Sequence, residues 1–310
     1  MEKTDIFDVA IVGYGPAGVT AGIYAARKKL RVLLIGELSG GEVRNSGEIE
    51  NWPGDGATTG NELADKLATH LRSHSEEVTV VEKKVSKIVK NGDVFSIESD
   101  NQSWQSKTVI YATGRHPRML NVPGEADMRN RGVSYCATCD APIFSGKKVA
   151  VVGGGNTAAE AVIMLQKIAS EIYVVQLLES LTADPVLIEN FVSDEKVKII
   201  YNAQTTAIEG DVMVNRLRFL DTKTKEEKAL DVDGIFVLIG AVPNTQPVKD
   251  LLPLDKMGAI PADRYGVTSL PGFFAAGDVT DIRDAQIVVA AGHGCSAALS
   301  AGDYIARMGR

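Results

Sequence analysis

The chain has 310 residues, enough for about two domains, and with 45% hydrophobic and 24% charged residues it is too apolar for an intrinsically disordered protein. No apolar run approaches the ~18 residues of a membrane span, and an N-terminus carrying Glu2, Lys3, Asp5 and Asp8 suits neither a signal nor a transit peptide. A net charge of −7 disfavours a nucleic-acid binder that tracks phosphates, so the expectation is a cytoplasmic protein without nucleic-acid or membrane partners.

In chain order, the first signal is the apolar run Phe7–Val12, followed by Gly13-Tyr14-Gly15-Pro16-Ala17-Gly18, a helical pattern from Val19 to about Lys28, and a second β run, Arg31–Ile35. About 140 residues later the pattern returns: Lys148–Val152, then Gly153-Gly154-Gly155-Asn156-Thr157-Ala158, a helix to about Ile168, and the strand Ile172–Val175. Each copy is a strand–turn–helix–strand unit with the spacing GxGxxG or GxGxxA. The first glycine makes the tight turn, the second lets a pyrophosphate approach the backbone, and the third position lets helix and strand pack closely. The anion rests on the helix N-terminus. The same fingerprint calls for an acidic residue about 20 positions on, to hold ribose hydroxyls. Glu37 fits in the first copy; the second has Gln176 there, so the second cradle, Gly153, Gly155, Asn156, Thr157, Ala158 and Gln176, keeps its phosphate seat without a charged ribose reader.

Between the copies, Val94–Glu98 and Lys107–Tyr111 read as strands, the latter ending in Ala112-Thr113-Gly114. Near the C-terminus, Gly272-Phe273-Phe274-Ala275-Ala276-Gly277-Asp278 reads as a strand ending in an aspartate suited to a ligand's polyol, before a final helix from about Gln286 to Met308. The order of parts predicts an α/β fold of two Rossmann-like, three-layer ββα nucleotide-binding domains, the second inserted into the first. The domain holding the first cradle takes residues 1–117 and 246–310, and the domain with the CxxC takes 118–245. Hinges fall in the Pro-, Gly- and Asn-rich segments Gly114–Pro123 and Gly240–Pro247.

Three cysteines make no secreted disulfide framework. Cys136 and Cys139 form a CxxC, which reads as redox chemistry or as half of a metal site. A metal site needs about four ligands, and the scattered histidines supply no others, so no metal is expected. In the redox reading one thiol has a depressed pKa and the other resolves the mixed disulfide, and Asp140, directly after Cys139, is placed to exchange a proton with the leaving thiolate. Cys295 reads as a small buried hydrophobe. Arg115, His116, Arg118, Arg129 and Arg131 cluster just before the CxxC, either as solvated linker residues or as a basic collar for an acidic protein partner.

These residues resemble those of the low-molecular-weight thioredoxin reductases. Gly13-x-Gly-x-x-Gly, Gly40-Gly41, Glu50-Asn51-Trp52-Pro53-Gly54, Ala112-Thr113-Gly114, Cys136-Ala-Thr-Cys-Asp140, Gly153-x-Gly-x-x-Ala and Gly277-Asp278 occur in that family's order over essentially the whole chain. The second domain, with Asn202–Thr206 and Ile235–Val237, is also similar to the flavoprotein subunit of alkyl hydroperoxide reductase, which carries a further N-terminal thioredoxin-like domain absent from these 310 residues. The resemblance implies a homodimer and an FAD held by Gly13, Gly15, Gly18, Glu37, Asn51, Ala112, Thr113, Gly114, Gly277, Asp278 and Gln286. It also implies that Cys139 faces the flavin, that Cys136 attacks the partner disulfide, and that Asp140 is the acid. His293, between two glycines, reads either as a residue near the flavin or as an ordinary helix position.

The chain departs from the family where NADPH binds. The family's His-Arg-Arg-x-x-x-Arg is Gln176-Leu177-Leu178-Glu179-Ser180-Leu181-Thr182, its Arg-Gln-Ala is Ala285-Gln286-Ile287, and its Gly-Gly-Gln loop is Gly40-Gly41-Glu42. Each lost charge-assisted phosphate contact is worth about 1.5–3 kcal/mol, which makes NADPH a poor donor. Some relatives lacking these arginines take electrons from reduced ferredoxin. The expectation is therefore an FAD-dependent disulfide reductase acting on thioredoxin or a thioredoxin-like protein, with reduced ferredoxin the favoured donor and NADH next. The alternatives are an NADH-dependent peroxiredoxin or glutaredoxin-like reductase, and a flavin-binding sensor without turnover.

Overall fold

A computed structural model describes residues 6–46, 48–100 and 102–308. The chain divides into two compact units, one comprising Met1–His116 with Val242–Arg310 and the other Pro117–Ala241. Each has a mainly parallel sheet at its centre.

In the first unit β1 (Ile6–Val12) leads through the glycine turn into α1 (Pro16–Arg27) and then β2 (Val32–Ile35). The helix begins three residues ahead of the apolar pattern because Pro16 occupies its first turn, where a fixed φ and a missing N–H cost nothing. Next comes α2 (Gly60–Arg72), started by a reciprocal capping box in which the Glu62 amide donates to the Thr59 hydroxyl and the Thr59 amide to the Glu62 carboxylate. The strands β3 (Val78–Val81), β4 (Lys87–Asn91), β5 (Val94–Ser99) and β6 (Gln102–Tyr111) complete a sheet of order β3-β2-β1-β6-β5-β4. Pairing is parallel from β3 to β6 and antiparallel from β6 to β4. The strand expected at Lys107–Tyr111 reaches back to Gln102, because its outer half pairs with β5 as a polar hairpin.

In the second unit β7 (Val133–Ser134) precedes α3 (Ala137–Asp140). Then follow β8 (Lys148–Val152), α4 (Asn156–Leu165), β9 (Glu171–Val175) and β10 (Val197–Ile200). The strands β11 (Ala203–Gly210), β12 (Val214–Asp221), β13 (Glu227–Asp231) and β14 (Gly234–Val237) close the unit. The order β7-β14-β8-β9-β10 is parallel throughout. Alternation along the strands sorts its two faces. Val149, Val151, Val174 and Phe236 pack on Ala158, Val162 and Leu165 of α4, whereas Ala150, Val152, Val175 and Ile235 pack on Ile208, Leu217 and Phe219 of the antiparallel sheet β11-β12-β13. Three layers result. The helix expected to reach Ile168 ends at Leu165 and runs on as a turn.

The chain returns to the first unit with β15 (Phe273–Ala275), which pairs parallel with β6, and α5 (Ile287–Met308). One face of that sheet, with Val9, Ile11, Leu34 and Ile110, packs on α1 and on Ala290, Ala297 and Ala301 of α5. The other, with Ala10, Val12, Leu33 and Tyr111, packs on Phe95, Phe273 and Val248. Gly294 lets α5 lie on α1, since a Cβ there would stand 2.1 Å from the Ala17 carbonyl oxygen.

The second unit's core makes a direct prediction. Phe236 is fully buried and meets Phe144 edge-on at 5.2 Å between ring centres. Phe236→Ala is expected to cost about 3–5 kcal/mol, read as a lower urea midpoint for the transition of that unit, whereas Phe236→Leu costs less because most of the volume is kept.

Candidate active site

The first glycine cradle is built by close backbone approach. Gly13 has φ +117°, and a Cβ there would lie 2.2 Å from the Ala112 carbonyl oxygen. A Cβ on Gly18 would lie 2.0 Å from the Gly13 carbonyl oxygen, so Gly18 sits beneath the turn as a packing residue. Gly15 differs: the nearest atom to its Cβ position is 3.9 Å away, which leaves the backbone open to a ligand. Gly15 caps α1 without a side-chain acceptor, and so the first-turn N–H groups face outward at the positive end of the helix.

A cavity of about 530 Å³ opens here, within the range that holds a cofactor. Of the sequence candidates, Gly13, Gly15, Glu37, Ala112, Thr113, Gly114, Gly277, Asp278 and Gln286 line it. Gly18 and Asn51 do not; Asn51 instead donates from Nδ2 to Gln286 Oε1 at 3.3 Å. Glu37 is exposed, 3.8 Å from Lys84.

Two residues that the sequence did not flag as ligands, Asn244 and Arg115, line this wall, and His293 supports a turn behind it. Asn244 grips the 112–114 turn. Its Nδ2 donates to the Thr113 carbonyl at 2.8 Å, its amide donates to the Gly114 carbonyl at 3.0 Å, and its carbonyl accepts from the Thr113 and Tyr111 hydroxyls at 2.9 and 2.8 Å. Arg115 lines the cavity with its Nε 3.7 Å from Asp278 Oδ2. Burial pushes the Asp278 carboxyl above its ordinary range, and Arg115 opposes that shift. His293 is buried under the turn, with Nδ1 accepting from the Gly277 amide at 3.3 Å and Nε2 3.2 Å from the Asp263 carbonyl oxygen, so the ring fixes the turn that presents Asp278. His293 does not line the cavity.

In the second unit Cys136 and Cys139 form a disulfide. The Cys139 amide donates to Cys136 Sγ at 3.3 Å, a contact that favours a thiolate on Cys136 once the bond opens. Asp140 Oδ2 accepts from the Ser134 hydroxyl at 2.5 Å, and burial raises the Asp140 carboxyl above its ordinary value while that bond opposes the rise. Tyr135, just ahead of Cys136, is held from behind. Its hydroxyl donates to Glu125 Oε1 at 3.0 Å, and Arg129 lies 5.2 Å over its ring. Glu125 is buried and also accepts from the Leu120 and Asn121 amides at 2.9 and 2.7 Å. Cys295, read as a buried hydrophobe, is instead half-buried, and a hydrogen bond with Tyr24 raises the Tyr24 phenol above its ordinary value.

The second cradle repeats the first. Gly153 has φ +131° with its Cβ position 2.3 Å from the Leu238 carbonyl oxygen, Ala158 is buried, and Gly155 is open, with Thr182 Oγ1 nearest at 3.8 Å. The difference lies in the loop after β9. The Gly154 carbonyl accepts from the Thr182 and Ala183 amides at 2.7 and 2.9 Å, and Asn156 and Asp184 exchange two hydrogen bonds of 2.9 and 2.8 Å. The loop is therefore fastened to the mouth of α4, with Thr157 in its first turn and the Asp184 carboxylate beside it. Gln176 is buried against Gly154 and donates from Nε2 to the Ser180 carbonyl at 2.9 Å. Lys223 reaches to 3.8 Å from Glu179 and brings a cation that the local window lacks.

An opening for a ligand beside a glycine cradle, with a redox-type disulfide elsewhere in the chain, defines a class of oxidoreductase. Residues 7–294 match the pyridine nucleotide-disulphide oxidoreductase family, and the chain belongs to it. The chain is similar to a NADH dehydrogenase of Bacillus subtilis, 43% identical over 97% of this chain and 59% of that protein, and to a subunit of the alkyl hydroperoxide reductase of Staphylococcus aureus, 42% identical over 99% and 60%. It spans about three-fifths of the length of these curated relatives. Among solved structures, thioredoxin reductase from Streptococcus pyogenes superposes with a TM-score of 0.92, at 36% identity, over 98% of this chain and 100% of that one. The chain has the two-domain α/β fold of the thioredoxin reductases. Family membership implies FAD together with a pyridine nucleotide, and the open Gly15, the uncapped α1 and the cavity lined by Asp278 fit FAD.

Because burial raises the Asp278 carboxyl, its charge destabilises the ligand-free fold: the stabilising contribution is full below the unfolded-state pKa and is lost as pH rises through the folded one. Asp278→Asn is therefore expected to raise the Tm of the ligand-free protein at neutral pH while weakening FAD about 10- to 100-fold through loss of a charged acceptor. Thermal scans and FAD titrations of the same preparation check both signs.

Proposed function

We propose that the chain is an FAD-dependent disulfide reductase that passes electrons from NADH through FAD and the Cys136–Cys139 disulfide to thioredoxin or a thioredoxin-like protein. The carrying observation is the Cys136–Cys139 disulfide followed directly by a half-buried carboxyl whose proton affinity is raised, on a chain that also holds a cavity fit for FAD. FAD supplies the exchange of two electrons between donor and disulfide.

The chain's own residues do the remainder. Gly13 and Gly15 admit the pyrophosphate to the α1 N-terminus, Asp278 holds the ribityl hydroxyls, and Asn244 keeps the 112–114 turn against the cavity. Reduction of the disulfide frees two sulfurs that must be protonated or stabilised. The Cys139 amide stabilises the Cys136 thiolate, and Asp140 supplies a proton to the departing sulfur. Cys136 then attacks the partner disulfide and Cys139 resolves the mixed disulfide. A homodimer, as the resemblance implies, belongs to the same reading.

For the donor, the open Gly155 and the uncapped α4 support a dinucleotide, and the B. subtilis relative's name points to NADH. Glu179 and Asp184 disfavour an added 2′-phosphate, and Lys223, a nearby cation, is already beside Glu179. These features move the preference from ferredoxin to NADH. Reduced ferredoxin remains the second reading, favoured by Gln176, whose amide is turned into its own loop and away from a ribose.

Stopped-flow mixing with each donor in turn tests this. NADH is expected to bleach the visible flavin band at least tenfold faster than NADPH at equal concentration, and Lys223→Ala is expected to leave the NADH rate unchanged. Bleaching by reduced ferredoxin alone establishes the second reading, and no bleaching by any donor overturns both in favour of a flavin sensor.

A second prediction concerns the thiols. Cys136→Ser and Cys139→Ser are each expected to retain FAD and to lose thioredoxin reduction by more than 100-fold. A variant that keeps turnover removes its cysteine from the electron path.

A further inference from the structure

We propose that Ser134 is the positioning residue of the Asp140 acid, a hydroxyl rotor that keeps the carboxyl hydrogen-bonded in both of its protonation states. The geometry is a closed local set. Ser134 ends β7, buried, and its Oγ accepts the Cys136 amide proton at 3.1 Å. The hydroxyl has one hydrogen and two acceptors within reach, Asp140 Oδ2 at 2.5 Å and the Cys136 carbonyl oxygen at 3.3 Å. With Asp140 ionised, the hydrogen points to Oδ2. With Asp140 protonated, the carboxyl O–H donates to Oγ, whose second lone pair is free, and the hydroxyl hydrogen turns to the Cys136 carbonyl. No heavy atom moves.

The consequence concerns the moment of proton transfer. When a reductant breaks the Cys136–Cys139 bond, the electron pair stays on the departing sulfur, and that thiolate takes the Asp140 proton to become a thiol. The carboxylate left behind is half-buried and would lose its one identified protein donor. The Ser134 hydrogen swings back to Oδ2 and meets the new charge. The Cys136 amide stays on Oγ throughout, so the same atom ties the acid to the backbone of the CxxC.

Few other charges bear on Asp140. Among the elements against α3, β7 carries no ionisable side chain, the 141–144 turn carries none, and α4 carries Glu160, which is exposed. Beyond these stand the two cysteines of the disulfide itself. Burial sets the upward direction of the Asp140 shift and the Ser134 hydroxyl opposes it, so removing the hydroxyl leaves burial unopposed.

The role in turnover rests on the disulfide-reductase reading; the pairing of Ser134 with Asp140 does not. The test uses the full, FAD-loaded protein and the variants Ser134→Ala, Ser134→Thr and Asp140→Asn. Infrared difference spectra across pH follow the carboxyl band that Asp140→Asn removes. Loss of a donor to the carboxylate raises its proton affinity, so Ser134→Ala is expected to move the Asp140 midpoint upward, while Ser134→Thr titrates with the wild type. In parallel, reduction of the disulfide by dithiothreitol, followed by thiol alkylation, is expected to slow about tenfold in Ser134→Ala, with its pH profile displaced in the same direction and restored in Ser134→Thr. Superimposable titrations of Ser134→Ala and wild type overturn the proposal, as does a Ser134→Thr protein that behaves like Ser134→Ala. If the midpoint and the dithiothreitol profile move as stated but wild-type protein reduces no thioredoxin, the function proposed above fails and the Ser134 assignment stands.

Discussion

The close approach of backbone to backbone at the two strand-to-helix turns is the constraint on which the rest depends. At Gly13 and Gly153 a side chain would run into a carbonyl oxygen at 2.2 and 2.3 Å, so each turn exists only because the chain has no Cβ there. That approach brings the N-terminus of α1 or α4 to the end of its sheet, and an uncapped helix end is an anion seat before any side chain takes part. Gly15 and Gly155 then stay open for a different reason: the nearest atoms are 3.9 and 3.8 Å away, and the space left suits a ligand's backbone contact.

This constraint is also why so much was legible in the sequence. Glycines at fixed spacing between an apolar run and a helical pattern are local, and they located β1, α1, β8 and α4 to within a few residues. The CxxC and its aspartate were legible for the same reason. The residues that finish the sites carry no such spacing. Asn244 grips the 112–114 turn from about 130 positions away, and Arg115 meets Asp278 from about 160. Lys223 comes to Glu179 from the turn between β12 and β13, a neighbour that only strand pairing creates. Ser134 stood beside the CxxC motif, yet nothing in its position announced a hydroxyl shared between Cys136 and Asp140.

Three buried or half-buried carboxyls show how the fold assigns work to charge. Glu125 has three donors on its two oxygens, which suits a permanent anion serving as an anchor for Tyr135. Asp140 has one hydroxyl donor and is pushed toward its protonated form, which suits an acid. Asp278 lines the cavity with a guanidinium at 3.7 Å and, among the described residues, no hydrogen-bond donor to its carboxylate, which suits an acceptor for a ligand. The number and kind of donors separate anchor, acid and ligand acceptor more clearly than burial does.

The two cradles diverge by the same logic. At the first, Glu37 stands exposed just after β2, 3.8 Å from Lys84 and on the wall of the cavity. At the second, the equivalent Gln176 is buried and its amide is already used within the loop, while the loop itself is bolted to Gly154 and Asn156. A ribose arriving there would meet an uncharged, buried Gln176 where the first cradle offers a carboxylate, and phosphates would meet a helix end with Asp184 beside it. Each feature subtracts from nucleotide affinity without closing the seat, because Gly155 stays open. On the reading proposed above, a nucleotide donor would sit here with Glu179 and Asp184 weighing against an added 2′-phosphate and with Lys223 already beside Glu179. A preference for NADH would then come from repulsion and not from a dedicated grip.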